Sequence, residues 1–376
     1  MFHPFQVERY LSQREQTAKF HFAESGVHPL TLTELIDIAE VDMDRLGSVL
    51  LDYPEVNGLP ELRSHIASMY PGAEAGDVLV TVGASEANHV IASTLLEPGD
   101  EVVAMSPTYQ QLPGNARNAG VNVLTVPLVE DDDWALDLEA LELTVTPRTK
   151  IIALVNPNNP TGHILTGNER AAIIAAAERS GAWIVSDEVY AGTEHHTDDQ
   201  TASFWGEYEK VIAVNSTSKA YGLPGLRLGW LVAPDDIYEA LWRRHEYATI
   251  SAGTIDMHLA TAALSPHVRP KLTARARGLI RTGFDTLTQG LAVHPGVFSV
   301  VPPEASAMSF VKFDLPLTSL DLADELLRDE GVLVIPGSCF GMEDHFRFSS
   351  ALPDPYLRDG LERLNRISER HLAGNH

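Results

Sequence analysis

The sequence predicts an α/β fold, in which a large domain built on a mostly parallel seven-stranded sheet is followed by a smaller α+β domain. Two observations carry this prediction. Seven short apolar runs alternate with amphipathic segments, and the alternation stops near Pro266. Continuous apolar strands between helices are typical of a parallel sheet that is covered on both faces. The expected strands are 78–82, 101–105, 121–126, 151–155, 182–186, 211–215 and 229–232.

The segments around and after these strands complete the predicted organisation. Helices are expected between strands, for example at 85–96 and 168–179. After Pro266 we expect a long helix at 269–289, strands at 298–302 and 308–313, a helix at 320–329, a strand at 332–335 and a last helix from Pro355. We therefore place the large domain at 36–265 and the small C-terminal domain at 266–376, with residues 1–35 as an arm that joins the small domain.

The composition is that of a globular protein with an acidic surface. Of 376 residues, 44% are hydrophobic and 21% are charged, and the formal net charge is −25. This charge, without a basic run, argues against binding to nucleic-acid phosphates and suits a cationic ligand. The single cysteine, Cys339, excludes an internal disulfide, and no apolar run reaches membrane-spanning length. We expect a cytoplasmic protein without nucleic-acid or membrane partners, and we predict no metal site.

The most informative motif combines a lysine, three hydroxyl side chains and an arginine. Lys219 follows Asn215-Ser216-Thr217-Ser218 at the end of an apolar strand, and Arg227 comes eight positions later in a glycine-rich turn. Partial burial at the mouth of a sheet lowers the pKa of a lysine and yields a neutral amine that can react with an aldehyde. Hydroxyl groups and an arginine can hold a phosphate. Pyridoxal phosphate, an aldehyde that carries a phosphate, meets both requirements, whereas the alternative is a pair of exposed loop charges.

Other polar residues directly follow predicted strands, which is where parallel sheets place their sites. Gly83-Ala84-Ser85-Glu86 opens a helix, so its backbone N–H groups and Ser85 could bind phosphate; alternatively, Ser85 is a helix N-cap. Asp187 could pair with a protonated pyridine nitrogen, or it could be a helix cap or an ion-pair partner. Tyr109 could stack on a cofactor ring or belong to the core, and the loop 156–162 could aim an amide side chain.

In this order and at these spacings, the motifs resemble those of the fold-type-I pyridoxal-phosphate transferases, and specifically the class I/II aminotransferases. The resemblance covers nearly the whole chain. It implies that pyridoxal 5'-phosphate is the cofactor, that residues 36–265 bind it, and that the enzyme is a homodimer with a shared active site. The matching motifs are Tyr53 with Gly58 and Leu62-Arg63, Gly83-Ala84-Ser85, Pro107-Thr108-Tyr109, 156–162, Asp187-Glu188-Val189-Tyr190, Ser216-Thr217-Ser218-Lys219, Arg227 and Arg347-Phe348-Ser349.

The same resemblance implies a role for each site residue. Lys219 would hold the cofactor covalently and take the Cα proton of an amino-acid substrate, and Asp187 would pair with the pyridine nitrogen. Arg347 would bind the substrate α-carboxylate in a bidentate manner. The other cofactor contacts would be Asn159 and Tyr190 on the ring hydroxyl, Tyr109 stacked on the ring, and Ala84, Ser85, Ser216, Ser218, Arg227 and Tyr53 of the partner subunit on the phosphate.

A second set of motifs is similar to the capreomycidine synthase and streptolidine-forming cyclase group of antibiotic biosynthesis. The set comprises Glu24-Ser25-Gly26-Val27-His28, the run 218–230, and 331–337 with Phe340-Gly341. The resemblance implies a hydroxylated arginine as substrate, which loses its Cα proton and its C3 hydroxyl and is closed into a ring by a guanidine nitrogen. His28, close to Gly26 at the substrate, would protonate the departing hydroxyl; the alternative is a structural histidine. The guanidinium could pair with Glu8, Glu15, Glu24 or Glu86.

Other reactions and functions remain as alternatives at this point. An ordinary aminotransferase, which exchanges an amine with a 2-oxo acid, is favoured by Asn158-Asn159-Pro160-Thr161 and by Tyr190, because the cyclase group carries other residues there. Tyr190 also counts against a C–S lyase or an acyltransferase. A ligand-sensing domain of a transcription regulator is disfavoured, because neither end of the chain carries a basic DNA-binding helix.

Overall fold

The computed structural model of the chain describes residues 2–373. Its helices are α1 Gln6–Arg14, α2 Leu32–Ala39, α3 Met43–Gly47, α4 Pro60–Ala67, α5 Gly83–Leu95, α6 Gln111–Asn118, α7 Leu138–Thr144, α8 Gly167–Ser180, α9 Asp235–Ala248, α10 Thr254–Ala263, α11 Arg269–Leu291, α12 Ser319–Glu325 and α13 Asp354–Ala373. Its strands are β1 Phe20–His21, β2 Val78–Thr81, β3 Glu101–Ser106, β4 Asn122–Val129, β5 Ala135–Leu136, β6 Thr149–Val155, β7 Trp183–Asp187, β8 Val211–Ser216, β9 Gly229–Val232, β10 Phe298–Val300, β11 Met308–Phe313, β12 Val332–Leu333, β13 Ile335–Pro336 and β14 His345–Ser349. Across this part of the chain, every helix is too short or too polar to span a bilayer.

One large sheet organises the first two thirds of the chain. Its strand order is β2-β9-β8-β7-β6-β3-β4-β5. The central strands β8, β7, β6, β3 and β4 run parallel, whereas β9 is antiparallel to both of its neighbours. The seven predicted strands are all present, which confirms the α/β class. The sheet has an eighth strand that was not predicted, because the two-residue antiparallel edge strand β5 is too short to produce a hydrophobic pattern.

The local sequence explains the elements that lead to the site. Strands β7 and β8 are buried at every position, as expected for central strands with helices on both faces. Helix α8 begins with a capping box, in which the Thr166 side chain accepts from the Glu169 amide and Glu169 reaches back. Helix α5 begins at Gly83 with no side-chain cap, so Ser85 lies inside the first turn and is not the N-cap. The first N–H groups of α5 therefore remain available to a ligand.

The last third of the chain contains a second sheet. Strands β10, β11, β14 and β13 form an antiparallel sheet, in which Phe310 pairs with Arg347, and β1 pairs in parallel with β12. The predicted strand 332–335 is wrong as a single strand, because β12 and β13 belong to different sheets; one apolar run carries no signal for two pairing partners. Strand β14 was not predicted. The limits 1–35, 36–265 and 266–376 of the three segments stay a prediction.

Candidate active site

A cavity of about 790 Å³ lies beyond the carboxyl ends of the parallel strands, which is the position expected for a site in such a sheet. Its lining includes residues that follow β7 and β8, residues from the start of α5, and residues from α1 and β14. The predicted site residues that line it are Ala84, Ser85, Tyr109, Asp187, Tyr190, Ser216, Ser218, Lys219, Arg227 and Arg347. Sequence motifs spread over 264 positions are therefore brought to one cavity.

Lys219 projects into this cavity three residues after the end of β8. Its Nζ donates a hydrogen bond of 2.9 Å to the Ser25 hydroxyl, and burial lowers the pKa of the lysine. Gly26 lies against the same lysine: a Cβ at this position would be 3.2 Å from the Ser218 carbonyl oxygen and 3.6 Å from Lys219 Cδ. The site thus contains an amine biased toward its neutral, nucleophilic form, beside a position where any side chain would be tightly packed.

Asp187 is the last residue of β7, and its carboxylate faces the cavity. The Asn88 amide donates a 3.0 Å hydrogen bond to Oδ2, and burial raises the pKa of Asp187 to about 6. A protonated ring nitrogen placed beside it would favour the ionised carboxylate. Sequence reasoning missed Asn88. The signal was its position three residues after Ser85, which puts both on one face of α5.

The opposite end of the cavity is suited to an anion. The uncapped start of α5 presents the backbone of Ala84 and Ser85, and the Arg227 guanidinium lies over it: a Cβ on Gly83 would be 2.8 Å from Arg227 Nη2. Ser216 and Ser218 line the same end, and the Ser218 amide donates to the Ser216 hydroxyl at 3.2 Å. Helix N–H groups, hydroxyls and a guanidinium together form a phosphate-binding set.

Arg347 is a buried guanidinium with open hydrogen-bonding capacity. It is 2% exposed; Nη1 donates to Asn159 Oδ1 at 3.0 Å and Nη2 to the Ala23 carbonyl at 2.5 Å. Within residues 2–373, Nε has no hydrogen-bond partner and no carboxylate forms an ion pair with this side chain. The Asn159 amide in turn donates to the Tyr190 hydroxyl at 3.1 Å. A buried guanidinium without a carboxylate partner is suited to bind the carboxylate of a ligand.

The N-terminal helix covers part of the cavity. The Tyr109 hydroxyl donates a 2.9 Å hydrogen bond to Glu8 of α1, and its ring packs on Phe5 with centroids 5.0 Å apart. Glu8, Glu15 and Glu24 all line the cavity. Three carboxylates from the first 24 residues therefore face the predicted substrate side of the site.

A buried histidine holds the loop that carries Asn159. His163 Nε2 lies 3.0 Å from Glu169, and Nδ1 lies 3.0 Å from Glu304. Although burial acts to lower it, these contacts raise the pKa of His163 to about 9. The His163 carbonyl accepts from the Asn158 amide at 2.9 Å, and the Glu304 amide donates to the Gly162 carbonyl at 3.2 Å. The cluster of His163, Glu169 and Glu304 thus ties the Asn159 loop to the segment before β11.

The structure places the remaining predicted residues outside the main cavity. His28 and Gly26 line an adjoining, mostly apolar cavity of about 520 Å³, which shares Lys219 and Glu24 with the main one. Asn159 does not line the cavity itself but forms hydrogen bonds with two residues that do, Tyr190 and Arg347. Tyr53 is 84% exposed on the surface of the chain, so its assignment to the site of a partner subunit stays a prediction.

Glu86, a possible guanidinium partner, is occupied elsewhere. It accepts hydrogen bonds from His245 at 2.9 Å and from Thr249 at 2.7 Å, and it does not line the main cavity. A second residue that sequence reasoning missed is Ser25, which contacts Lys219 directly. Its position beside Gly26 was visible in the sequence, but the contact is not local.

Comparison with known proteins identifies the family. The family model described as aminotransferase class I and II matches residues 27–364. The chain belongs to this family. Among curated class I/II relatives, capreomycidine synthase of Streptomyces vinaceus is 30% identical over 374 residues, covering 98% of this chain and 94% of the relative.

Two solved structures of the same family superpose over nearly the whole chain. A PLP-dependent aminotransferase from Streptococcus suis has a TM-score of 0.92 at 32% identity, with 98% of each chain covered. The PLP-dependent cyclase OrfR has a TM-score of 0.89 at 28% identity, also with 98% of each chain covered. This class I/II chain is therefore an enzyme with the fold-type-I architecture, and its cofactor is pyridoxal phosphate.

The residues of the site fit this cofactor. The amine of Lys219 and the carboxylate of Asp187 face one cavity, as covalent attachment and pairing with the ring nitrogen require. The uncapped start of α5 and Arg227 are suited to hold its phosphate. Tyr109 and Tyr190, which line the same cavity, are available to contact its ring.

Proposed function

We propose that the protein acts on a hydroxylated arginine: it removes the Cα proton, expels the C3 hydroxyl as water and closes a ring through a guanidine nitrogen, as a step of antibiotic biosynthesis. The C3–O bond breaks and a C3–N bond forms, while the proton taken from Cα returns to carbon. The net change is the loss of one water. The substrate amine is retained, and no 2-oxo acid is consumed.

The observation that carries this proposal is the charge of the cavity. Its cations are Lys219, Arg227 and Arg347, and each has a place at the aldehyde, the phosphate or the α-carboxylate. Glu15 and Glu24 form no salt bridge within residues 2–373, and Glu8 accepts only the Tyr109 hydroxyl, so none of the three carboxylates is paired with one of these cations. A substrate with a cationic side chain would satisfy them, whereas a second carboxylate on the substrate would be repelled.

The chain's own residues divide the work of the reaction. When bound, pyridoxal phosphate withdraws electrons from the substrate Cα. Arg347 and Asn159 would orient the α-carboxylate, and this directs the Cα–H bond toward Lys219. The Lys219 amine, with a pKa lowered by burial, would take the Cα proton. Asp187, fixed by Asn88, would hold the ring nitrogen in its protonated form.

His28 is the proposed proton donor to the departing hydroxyl. It lines the adjoining cavity, which shares Lys219 with the main one. A histidine can donate a proton near neutral pH, where a hydroxide is a poor leaving group. His28→Phe is expected to slow the loss of water while leaving Cα proton exchange intact.

Two relatives support the cyclase reaction, and one structural comparison supports a second candidate reaction. Capreomycidine synthase and the cyclase OrfR are similar over nearly the full chain. The second candidate is an ordinary aminotransferase, which is favoured by the TM-score of 0.92 to the Streptococcus suis aminotransferase. In that case the amine of the substrate would leave with the cofactor, and a 2-oxo acid would be required for turnover.

We also propose that the enzyme is a homodimer in which Tyr53 of one copy completes the phosphate site of the other. Tyr53 is 84% exposed and follows Leu50 and Leu51, which are 81% and 82% exposed. Apolar side chains this exposed on one short segment suit burial against a second copy. Sedimentation equilibrium tests the dimer. Tyr53→Phe is expected to weaken cofactor retention and to leave the dimer intact. A monomer that binds pyridoxal phosphate with full affinity would contradict the proposal.

Mass spectrometry of the products decides between the two reactions. The cofactor-loaded enzyme is incubated with hydroxylated arginines and with a panel of common amino acids, each with and without a 2-oxo acid. Loss of one water from a hydroxyarginine without a 2-oxo acid, with the amine retained, would establish elimination and cyclisation. Amine exchange that depends on the 2-oxo acid would make the enzyme an aminotransferase.

A matched pair of variants tests whether the carboxylates that line the cavity bind the substrate side chain. Glu15→Gln removes one cavity carboxylate, and Glu61→Gln removes an exposed carboxylate of α4 that does not line the cavity. Glu15→Gln is expected to raise the KM for a guanidino substrate by about 5-fold to 10-fold, and Glu61→Gln to leave it unchanged. Equal KM values for both variants would show that the cavity carboxylate does not bind the substrate side chain.

A further inference from the structure

A serine that belongs to neither the predicted site nor the cofactor set contacts the catalytic lysine. The Ser25 hydroxyl accepts a 2.9 Å hydrogen bond from Lys219 Nζ, and Ser25 is 7% exposed. The two residues are 194 positions apart in the chain. A serine is an unexpected partner here, because a carboxylate would bind the amine more strongly and would hold it in its protonated form.

Ser25 lies at the end of two connections to Arg347. Along the side chains, Arg347 donates to Asn159 and Asn159 donates to Tyr190. Burial raises the pKa of Tyr190, and the Ser25 side chain acts against this rise, which places Ser25 beside the Tyr190 hydroxyl. Along the backbone, Arg347 donates to the Ala23 carbonyl, two residues before Ser25. The group that would bind the substrate carboxylate is therefore linked twice to the group that holds the lysine amine.

The backbone fixes the position of the Ser25 hydroxyl. On one side, the Phe22 amide donates to the Leu333 carbonyl and the Ser349 amide donates to the Phe22 carbonyl, at 2.9 and 2.8 Å. On the other side, Gly26 packs on Ser218 and Lys219: a Cβ there would be 3.2 Å from the Ser218 carbonyl oxygen, closer than ordinary contact, and 3.6 Å from Lys219 Cδ. The segment 22–26 is thus held between β14 and Lys219, so the distance from Ser25 to the amine is set by the fold.

We propose that Ser25 is a positioning residue for proton transfer: its hydroxyl accepts one N–H of the free Lys219 amine and so aims the amine lone pair at the substrate Cα. The inference rests on the proposed role of Lys219 as the base. The proton moves from Cα to Nζ, the amine becomes an ammonium, and Ser25 Oγ remains an acceptor for it. A hydroxyl serves this purpose in both protonation states, because it accepts from the amine and from the ammonium alike.

The geometry also has a consequence for substrate binding. A substrate carboxylate that binds Arg347 would bind the same guanidinium that donates hydrogen bonds to Asn159 and to the Ala23 carbonyl. Both connections end at Ser25, so correct binding of the carboxylate would hold the amine in place. The proposal therefore predicts an effect of Ser25 on the chemical step and little effect on cofactor retention or on substrate affinity.

The test measures the exchange of the Cα hydrogen for deuterium. Holoenzyme in D2O is followed by proton NMR, with L-arginine and the fastest-reacting amino acid of the mass-spectrometry panel as probes. Exchange reports proton transfer at Cα whichever final reaction occurs, so it stays informative if the cyclase proposal fails. Lys219→Ala must abolish it; exchange that persists in that variant would refute the role of Lys219 and the inference with it.

Three serine variants separate positioning from structure. Ser25→Ala is expected to exchange about ten-fold more slowly, which corresponds to the loss of one hydrogen bond, with unchanged cofactor absorbance and half-saturation. Ser25→Thr keeps a hydroxyl and is expected to retain most of the rate. Ser93→Ala, on the exposed side of α5, where the hydroxyl bonds only the Val90 carbonyl in the described chain, is the control and should match the parent enzyme.

The pH profile supplies a second readout. Because Ser25 accepts from the amine and favours its protonated form, Ser25→Ala should move the low-pH limb of the exchange rate, where Lys219 loses its proton, to lower pH. A merely structural role would not move this limb. The inference is overturned if Ser25→Ala exchanges as fast as the parent enzyme, or if Ser25→Ala and Ser25→Thr are slowed equally, because shape and not the hydroxyl would then matter.

Discussion

Replacement of His163 by glutamine should remove a pH-dependent part of the stability of this enzyme. His163 lies between Glu169 and Glu304 and ties the Asn159 loop to the segment before β11. Its pKa is raised in the folded protein, so the folded state holds a proton that the unfolded chain would release near neutral pH. The stabilisation is fully present below pH 6.5, the ordinary histidine value, and is lost as the pH rises through about 9.

The size of the effect follows from the pKa. The pKa of His163 rises from the ordinary 6.5 to about 9. Because each pKa unit corresponds to about 1.4 kcal/mol, the contacts of His163 with Glu169 and Glu304 contribute on the order of 3 kcal/mol to the stability of the fold. Although burial opposes the change, the hydrogen bond with His163 also lowers the pKa of Glu169, to about 2. The pKa of His163 reflects its contacts with both Glu169 and Glu304, and the pKa of Glu169 shares one of these contacts, so the two changes are not added. His163→Gln should therefore be less stable than the parent enzyme at pH 6 by roughly this amount.

Urea unfolding of the cofactor-loaded protein, followed by far-ultraviolet circular dichroism, tests this at about pH 6, about pH 7.5 and about pH 9.5. The stability of the parent enzyme should fall across this series more steeply than that of His163→Gln. His65→Gln is the matched control, because the His65 ring contacts a backbone carbonyl 3.0 Å away and no carboxylate in the described chain. Parallel pH dependences for the parent enzyme and His163→Gln would refute the reasoning.

Three further variants test the assignments in the cavity. Lys219→Ala should lose covalent cofactor and turnover, seen as loss of visible absorbance after gel filtration; a retained covalent spectrum would contradict the assignment. Asp187→Asn should keep the cofactor but lower kcat by roughly 100-fold, measured at saturating substrate, because the ring nitrogen loses its anionic partner. Arg347→Lys should lower kcat/KM by about 30-fold, because an ammonium cannot reproduce the bidentate contact; unchanged steady-state kinetics would remove Arg347 from the substrate site.

The sequence was informative about the site because its residues follow strands. In a parallel sheet, residues that are distant in sequence but follow strand ends must meet, so Asp187 after β7 and Lys219 after β8 could be assigned to one site before the structure was known. The apolar runs were equally informative, because a central strand must be apolar on both faces. The direction of β9 was not available in this way, since a buried strand has the same composition whichever way it runs.

The contacts that were missed are those without a local pattern. Ser25 meets Lys219 only because β1 pairs with β12 and places the following residues beside β14. A pairing of two-residue strands leaves no periodicity to detect. Asn88 was missed for a different reason: an amide in the second turn of a helix has no assigned role until its partner, Asp187, is known.

The two ends of the cavity come from different parts of the chain. Within one copy of the chain, the groups at the cofactor end lie between Ala84 and Arg227, whereas Glu8, Glu15 and Glu24 belong to a short stretch that contributes nothing to the large sheet. Exchange of these three glutamates between related enzymes would therefore redirect side-chain preference, whereas Phe22 and Ala23 in the same stretch must stay because they hold Ser25 and Arg347 in place. A library confined to positions 8, 15 and 24 would be a compact route to new substrates.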